Sequence, residues 1–132
     1  MNGADLLVRE LMNRDVPCIY TLCGNGLDPL LIAALQAGLR VIDTRNEQAA
    51  AYMADAAGRL MRRVGVTAVS SGVAHINGLM GVANAWFDGS PMLLITGATH
   101  SAMVGRGAFQ DMDTIGLSRP AAITFGLCGG RR

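Results

Sequence analysis

Glu47 is the side chain in this sequence best placed for acid–base chemistry. It stands in Arg45-Asn46-Glu47-Gln48-Ala49-Ala50-Ala51-Tyr52-Met53-Ala54-Asp55, where a helical periodicity begins just after a short run of β formers. A carboxylate in the first turn of a helix complements the helix macrodipole by about 0.3–1 kcal/mol, and position alone asks for no further role. On a helical wheel, however, Glu47 falls at the border of the apolar face, beside Ala50, Ala51 and Ala54. Three small neighbours leave room for a flat ligand, and a carboxylate in such a setting can share a proton with a ligand nitrogen.

The other candidates are weaker by themselves. Gly24-Asn25-Gly26 has the look of a dinucleotide-binding turn, but Pro29 stands where that pattern needs a third Gly or Ala, and tight-turn geometry accounts for the glycines. There is no phosphate-cradling P-loop. His75 invites a general-base reading, yet a lone histidine at a helix start more often caps or packs. Gly78 and Gly81 lie inside a helical stretch, where each costs about 1 kcal/mol relative to Ala, so close approach of another backbone is the expected return. Cys18, Cys23 and Cys128 form no CxxC pair and no metal-spaced cluster with histidine.

These residues need a scaffold, and the order of elements supplies one. Helical spacing over residues 4–14 is followed by a strand at 18–22 and a helix at 27–37, with Pro29 in its first turn and Gly38 as its C-cap. A strand at 40–44 leads into a long helix at 46–62. A third strand at 66–70, a helix at 75–87 and a fourth strand at 92–96 complete the alternation. This pattern predicts an α/β fold, a parallel sheet with helices on both faces. In the second long helix, Ala50, Met53, Ala54, Ala57, Leu60 and Met61 form the expected apolar face, opposite Gln48, Tyr52, Asp55, Arg59 and Arg62. In the third, Ile76, Leu79, Met80, Ala83, Trp86 and Phe87 read as core, and Asn77, Gly81 and Asn84 as a small polar side suited to an interface. After Gly97 the periodicity fades into a loop over 98–120, with a helical turn near Gly116 and one more strand at 121–125. Ligands of such a sheet gather beyond the carboxyl ends of its strands. There the sequence places Cys23-Gly24-Asn25-Gly26, Arg45-Asn46-Glu47, residues 71–77 and the loop from Gly97.

Composition bounds the rest. The 132 residues fit one domain, and with 51% hydrophobic and 16% charged residues an oligomer interface is the natural outlet for surplus apolar surface. A formal charge of +1 gives no support to nucleic-acid or membrane binding. All eleven basic residues are Arg, which excludes a Schiff-base or P-loop lysine. The start lacks the basic region of a signal peptide and no apolar run is long enough to span a bilayer, so a cytoplasmic protein is expected.

Taken in order, several segments resemble the thiamine-diphosphate-dependent enzymes. The stretch around Glu47 is similar to their His-Glu-x-Ala-Ala motif, and residues 71–77 to their Gly-Pro-Gly-x-x-Asn loop. Residues 81–91 follow their Gly-x-x-x-Ala-x-x-Asp-x-x-Pro pattern. Leu94-Ile95-Thr96-Gly97 resembles the strand and glycine that come next, and Gly107-Ala108-Phe109-Gln110-Asp111-Met112-Asp113 their Phe-Gln-Glu segment. The match spans about residues 4–125 and is most similar to the pyrimidine-binding domain of the acetolactate synthase and benzoylformate decarboxylase group.

The resemblance implies that Glu47 hydrogen-bonds the ring nitrogen of the cofactor's aminopyrimidine and promotes the imino tautomer that takes the thiazolium proton. It implies that Gly24, Asn25, Gly26, Gly72 and Asn77 bind the cofactor, and that Phe109 and Gln110 face a 2-keto acid, Gln110 as the orienting group. Asn46 replaces the family's frequent histidine, Val73-Ala74 its usual Pro-Gly and Asn25 a frequent proline. Ser70 stands where some decarboxylases carry a histidine, and no His-His pair follows the fourth strand, which leans toward a synthase or carboligase.

The Gly-Asp-Gly…Asn motif that holds diphosphate and magnesium is missing. So residues 1–125 are expected to be an incomplete pyrimidine-binding domain, truncated at the C-terminus, and 126–132 an irregular tail. Only the pyrimidine end of thiamine diphosphate would be bound, with magnesium on a missing domain or partner chain. A homodimer formed through the helices after Glu47 and Gly72, or a complementary diphosphate-binding chain, is the expected assembly. By itself the chain is not expected to catalyse. Two other readings are the small subunit of a split 2-keto acid decarboxylase and a non-catalytic dimerising remnant; a nucleotide-binding Rossmann module is disfavoured by the failed glycine register.

Overall fold

The computed structural model describes residues 1–122 and Gly126. Its elements are α1 (Gly3–Asn13), β1 (Cys18–Thr21), α2 (Asp28–Ala37), β2 (Arg40–Asp43), α3 (Glu47–Met61), β3 (Gly65–Val69), α4 (Val73–Asp88), β4 (Met92–Thr96) and α5 (Thr114–Ser118). Every expected helix and strand up to residue 96 is present, and Gly116 lies within α5. Of the strand expected at 121–125, Ala121 instead closes a 3-10 turn, Arg119–Ala121, and residues 123–125 lie outside the described residues, as does the tail apart from Gly126.

The four strands are parallel and ordered β2-β1-β3-β4. Ile19 of β1 is the register point, opposite Val41 on one side and Val66 on the other. Right-handed crossovers fix the layers. The step from β1 to β2 runs one way across the sheet, whereas those from β2 to β3 and β3 to β4 run the other way. So α2, with α1 beside it, covers one face, and α3 and α4 cover the opposite face. The main core lies under α1 and α2, where Val8, Leu11, Leu30 and Ala34 meet Ile19 and Val66.

The second face is built differently from what the helical wheels predict. The buried residues of α3 are Ala50, Ala51, Ala54, Asp55, Ala57 and Gly58, and those of α4 include Ala74, Gly78, Gly81 and Ala85. Met53, Leu60 and Met61, expected inside, are exposed, and so are Ile76, Met80, Trp86 and Phe87. Asp55, expected in solvent, is 2% exposed. Backbone proximity explains the inversion. A Cβ on Gly81 would lie 2.6 Å from the Ala51 carbonyl carbon, and a Cβ on Gly65 would collide with the Ala54 backbone. Only small side chains fit helices and strand so close together, so the large apolar ones turn outward.

Candidate functional site

β1 and β3 are neighbours whose outgoing connections diverge to opposite faces, which opens a crevice beyond their carboxyl ends. The predicted residues gather around this edge. β1 ends at Thr21 and leads into Gly24-Asn25-Gly26; β2 ends at Asp43 and leads into Glu47; β3 ends at Val69 and leads through Ser70, Ser71 and Gly72 into α4. Thr44 ties two of these exits together, its backbone N–H and its hydroxyl both donating to the Thr21 carbonyl, at 2.8 and 3.0 Å.

Glu47 is the first residue of α3, and Asn46 caps that helix by accepting from the Gln48 N–H at 2.7 Å. The Glu47 side chain is half-buried beside the fully buried Ala50 and Ala51. Its Oε2 accepts a hydrogen bond from Asn77 Nδ2 of α4 at 3.0 Å. Among the described residues Oε1 has no such partner. One carboxylate oxygen is thus held in place while the other is free to meet a ligand nitrogen, next to alanines that admit a flat ring. This donor set fits an aminopyrimidine.

A second cluster forms around Ser70. A Cβ on Gly24 would lie 2.8 Å from Ser70 Cβ, so glycine is required for β1's exit to pass β3's. The Ser70 hydroxyl donates to the Asn25 carbonyl at 3.0 Å. Ser71 Oγ donates to Gln110 Oε1 at 3.1 Å, and Ser70 Oγ lies 3.3 Å from the same oxygen. Gly72, at φ 61 and ψ −122, lets the chain turn into α4 and leaves room for Gln110, whose Cβ would be 2.7 Å from a Cβ there. Gly24, Asn25, Gly26, Gly72 and Gln110 therefore converge on one edge, as Glu47 and Asn77 do. Phe109 does not join them: its side chain is 75% exposed, and its carbonyl accepts from Thr99 Oγ1 at 3.3 Å. The sequence places Ser70 where some decarboxylases carry a histidine and Ser71 at the start of the 71–77 loop, but marks neither as a site residue.

His75 has the packing role expected of it. It is 4% exposed, with Nδ1 2.8 Å from Thr96 Oγ1 and Nε2 3.1 Å from Ser118 Oγ. Ser118 spends its own proton on the Thr114 carbonyl, so it accepts from Nε2–H, and Nδ1 accepts from Thr96. Burial lowers the pKa of this imidazole, partly offset by the Thr114 carbonyl. The ring is thereby a neutral strut joining α4, β4 and α5.

Two surface clefts lie elsewhere. One of about 490 Å³ separates α1 from α2, lined by Val8, Arg9, Met12 and Ala33 among others, and one of about 370 Å³ lies beside Arg59, Asp88 and Pro91. Neither includes Glu47 or Gln110. Among the described residues no three His, Cys, Asp or Glu side chains are grouped to hold a metal, and no helix is long and apolar enough to cross a membrane.

Comparison with known proteins finds relatives over most of this chain. The chain is 42% identical over 119 residues to a 2-hydroxyacyl-CoA lyase 2 of Caenorhabditis elegans, which covers 90% of this chain and 19% of the worm protein. It is 40% identical over 119 residues to the Homo sapiens 2-hydroxyacyl-CoA lyase 2, again 90% and 19%. It is 37% identical over 121 residues to an acetolactate synthase large subunit of Buchnera aphidicola, covering 91% and 21%. The chain thus spans about a fifth of the length of the curated relatives it matches. Residues 1–117 match the model of the thiamine pyrophosphate enzyme N-terminal TPP binding domain, and the chain belongs to that family.

Proposed function

We propose that this chain supplies the aminopyrimidine-activating half of a thiamine-diphosphate site in a lyase or carboligase of the acetolactate synthase type. The observation that carries the reading is the divided Glu47 carboxylate, with Oε2 fixed by Asn77 and Oε1 turned toward no partner among the described residues. Glu47 Oε1 would hydrogen-bond the pyrimidine ring nitrogen. Asn77 holds the carboxylate in one orientation for that contact. Gly24, Asn25, Gly26 and Gly72 would line the pocket that holds the pyrimidine. Gln110, whose Oε1 is occupied by Ser71, keeps Nε2 as a donor toward a substrate carbonyl or carboxylate. Thiamine diphosphate, when bound, supplies carbanion chemistry at a carbonyl carbon.

The diphosphate and its magnesium are assigned to a complementary domain or chain, in keeping with the roughly fivefold greater length of the relatives. The face that would meet it, or a second copy in a homodimer, is the outer surface of α3 and α4. There Leu60 and Phe87 are each 85% exposed, and Met53, Val73, Ile76 and Met80 are exposed as well. Exposed apolar side chains of this kind are what an interface would bury.

Exchange of the cofactor's thiazolium proton, followed by NMR in an assembly of this chain with a complementary diphosphate-binding chain, tests the proposal. Glu47→Ala is expected to abolish it; unchanged exchange would overturn the role of Glu47. A 2-keto acid is the proposed substrate. The similarity to 2-hydroxyacyl-CoA lyases favours a second reading in which a 2-hydroxyacyl-CoA is cleaved. Turnover of one class and not the other by the same assembly decides between them.

A further inference from the structure

Four positions spaced four apart on α3, namely 47, 51, 55 and 59, lie along one stripe of that helix. Each meets a partner on the neighbouring α4. Glu47 accepts from Asn77 at 3.0 Å. Ala51 lies against Gly81, where a Cβ would come within 2.6 Å of it. Asp55 Oδ2 accepts from Asn84 Nδ2 at 2.7 Å, and Asp88 Oδ2 pairs with Arg59 Nη1 at 2.7 Å. The helices follow parallel strands, so these contacts are successive rungs of one seam, with the site at its beginning.

The two inner rungs are not equivalent in what they specify. Ala51 against Gly81 brings the helices close but permits sliding, since small smooth surfaces match in several registers. Asp55 against Asn84 does not. Asp55 is 2% exposed, its Oδ1 has no partner among the described residues, and Oδ2 depends on Asn84. The Asn84 amide uses its second proton on Asp88 Oδ2 at 3.2 Å, which joins this rung to the Arg59 pair. A slip of one helical turn, about 5.4 Å, would strip a buried carboxylate of its donor. The seam therefore has one register that satisfies it.

We infer that Asn84, through its bond to the buried Asp55, sets the register of α4 on α3 and so holds Asn77 against Glu47. It is a positioning residue for the site, acting from two helical turns away. Its importance for chemistry rests on the reading of Glu47 given above; the register itself does not.

The test reads the Asn77 side-chain amide by 1H–15N NMR in the free chain, with no cofactor. The variant is Asp55→Ala combined with Asn84→Ala, which removes both polar partners together and so leaves no unpaired buried charge. Expected is at least tenfold faster exchange of the Asn77 side-chain protons and a shift toward free asparagine, with an unfolding midpoint close to wild type. Asp55→Asn, which keeps an acceptor for Asn84, is expected to retain the wild-type Asn77 signals. A folded double variant with unchanged Asn77 signals would show the pair to be packing alone and overturn the inference. Should the double variant not fold, Asp55→Ser combined with Asn84→Ser, which keeps small polar side chains and leaves no buried carboxylate, gives the same readout, with faster Asn77 exchange supporting the inference and unchanged exchange overturning it. Because no cofactor is present, failure here leaves the role of Glu47 standing. Failure of the thiazolium-exchange test likewise leaves this register standing.

Discussion

Ser71 Oγ donates to Gln110 Oε1 at 3.1 Å, a bond between residues 39 apart in sequence that fastens the long loop after β4 to the entrance of α4. Gln110 takes a left-handed backbone conformation, φ 58, to reach it. Ser70 Oγ lies 3.3 Å from the same Gln110 oxygen, Thr99 Oγ1 donates to the Phe109 carbonyl at 3.3 Å, and the Asp111 carboxylate accepts from the Gly105 N–H at 2.6 Å within the loop itself.

Ser71→Ala is therefore expected to loosen the loop more than it destabilises the domain. One neutral hydrogen bond contributes about 0.5–1.5 kcal/mol, so the unfolding midpoint should fall by only a few degrees. Limited trypsin digestion reads the local effect at Arg106, an exposed site in that loop. Cleavage there should accelerate several-fold, and an unchanged rate would mean the serine does not restrain the loop.

Gly72→Ala is expected to be worse, at about 1–3 kcal/mol. The added Cβ meets the Gln110 Cβ at 2.7 Å and must also adopt φ 61 with ψ −122, which L side chains disfavour. Trimming the neighbour with Gln110→Ala should not rescue it, because both the backbone strain and the Gln110 Cβ remain. Urea unfolding of the single and double variants checks this.

Gly81→Ala sets two effects against each other. Alanine gains about 1 kcal/mol in helix propensity. Its Cβ, however, would lie 2.6 Å from the Ala51 carbonyl carbon and Cβ, and overpacking against a fixed backbone costs about 1–3 kcal/mol. The clash is with backbone rather than a flexible tip, so a net loss of stability is expected. Separation of α3 and α4 should also perturb the Asn77 side-chain amide signal. Denaturation and NMR on one sample measure both, and a more stable variant would show that the seam can open.

The sheet was legible because strand-like runs and helical periods alternate, and crossover handedness leaves little choice of layers. The place of Glu47 beside Ala50 and Ala51 was legible from the order of elements and from helical spacing. The close approach at the α3–α4 seam was legible from Gly81, but which side chains turn into it was not. A helical wheel ranks side chains by size and polarity, so it sent Leu60 inward and Asp55 outward. What decides their places is the closeness of two backbones, and that follows from Gly81 meeting Ala51 thirty residues away. The Asp55–Asn84 pair is invisible locally, since Asp55 reads as part of the polar face and Asn84 only as part of a small polar side suited to an interface. The contacts of Ser70 and Ser71 with Gln110 arise only once that loop returns to them, which no local pattern announces.

His75 gives the chain a defined acid sensitivity. Its ring is buried and neutral between Thr96 and Ser118, and burial holds its pKa below the ordinary histidine range. In the unfolded chain an imidazole takes up its proton near pH 6.5, whereas the folded one does so only at lower pH. The unfolded state then binds more protons across that interval, so stability rises with pH there. The contribution is complete above about pH 6.5 and is lost as pH falls below it, with a slope of at most about 1.4 kcal/mol per pH unit. Urea unfolding at pH 7.5, 6.5 and 5.5 should show this decline, and His75→Gln, which is uncharged throughout, should flatten it while costing some stability at pH 7.5. Parallel pH curves for the two proteins would place the acid sensitivity in some group other than this imidazole.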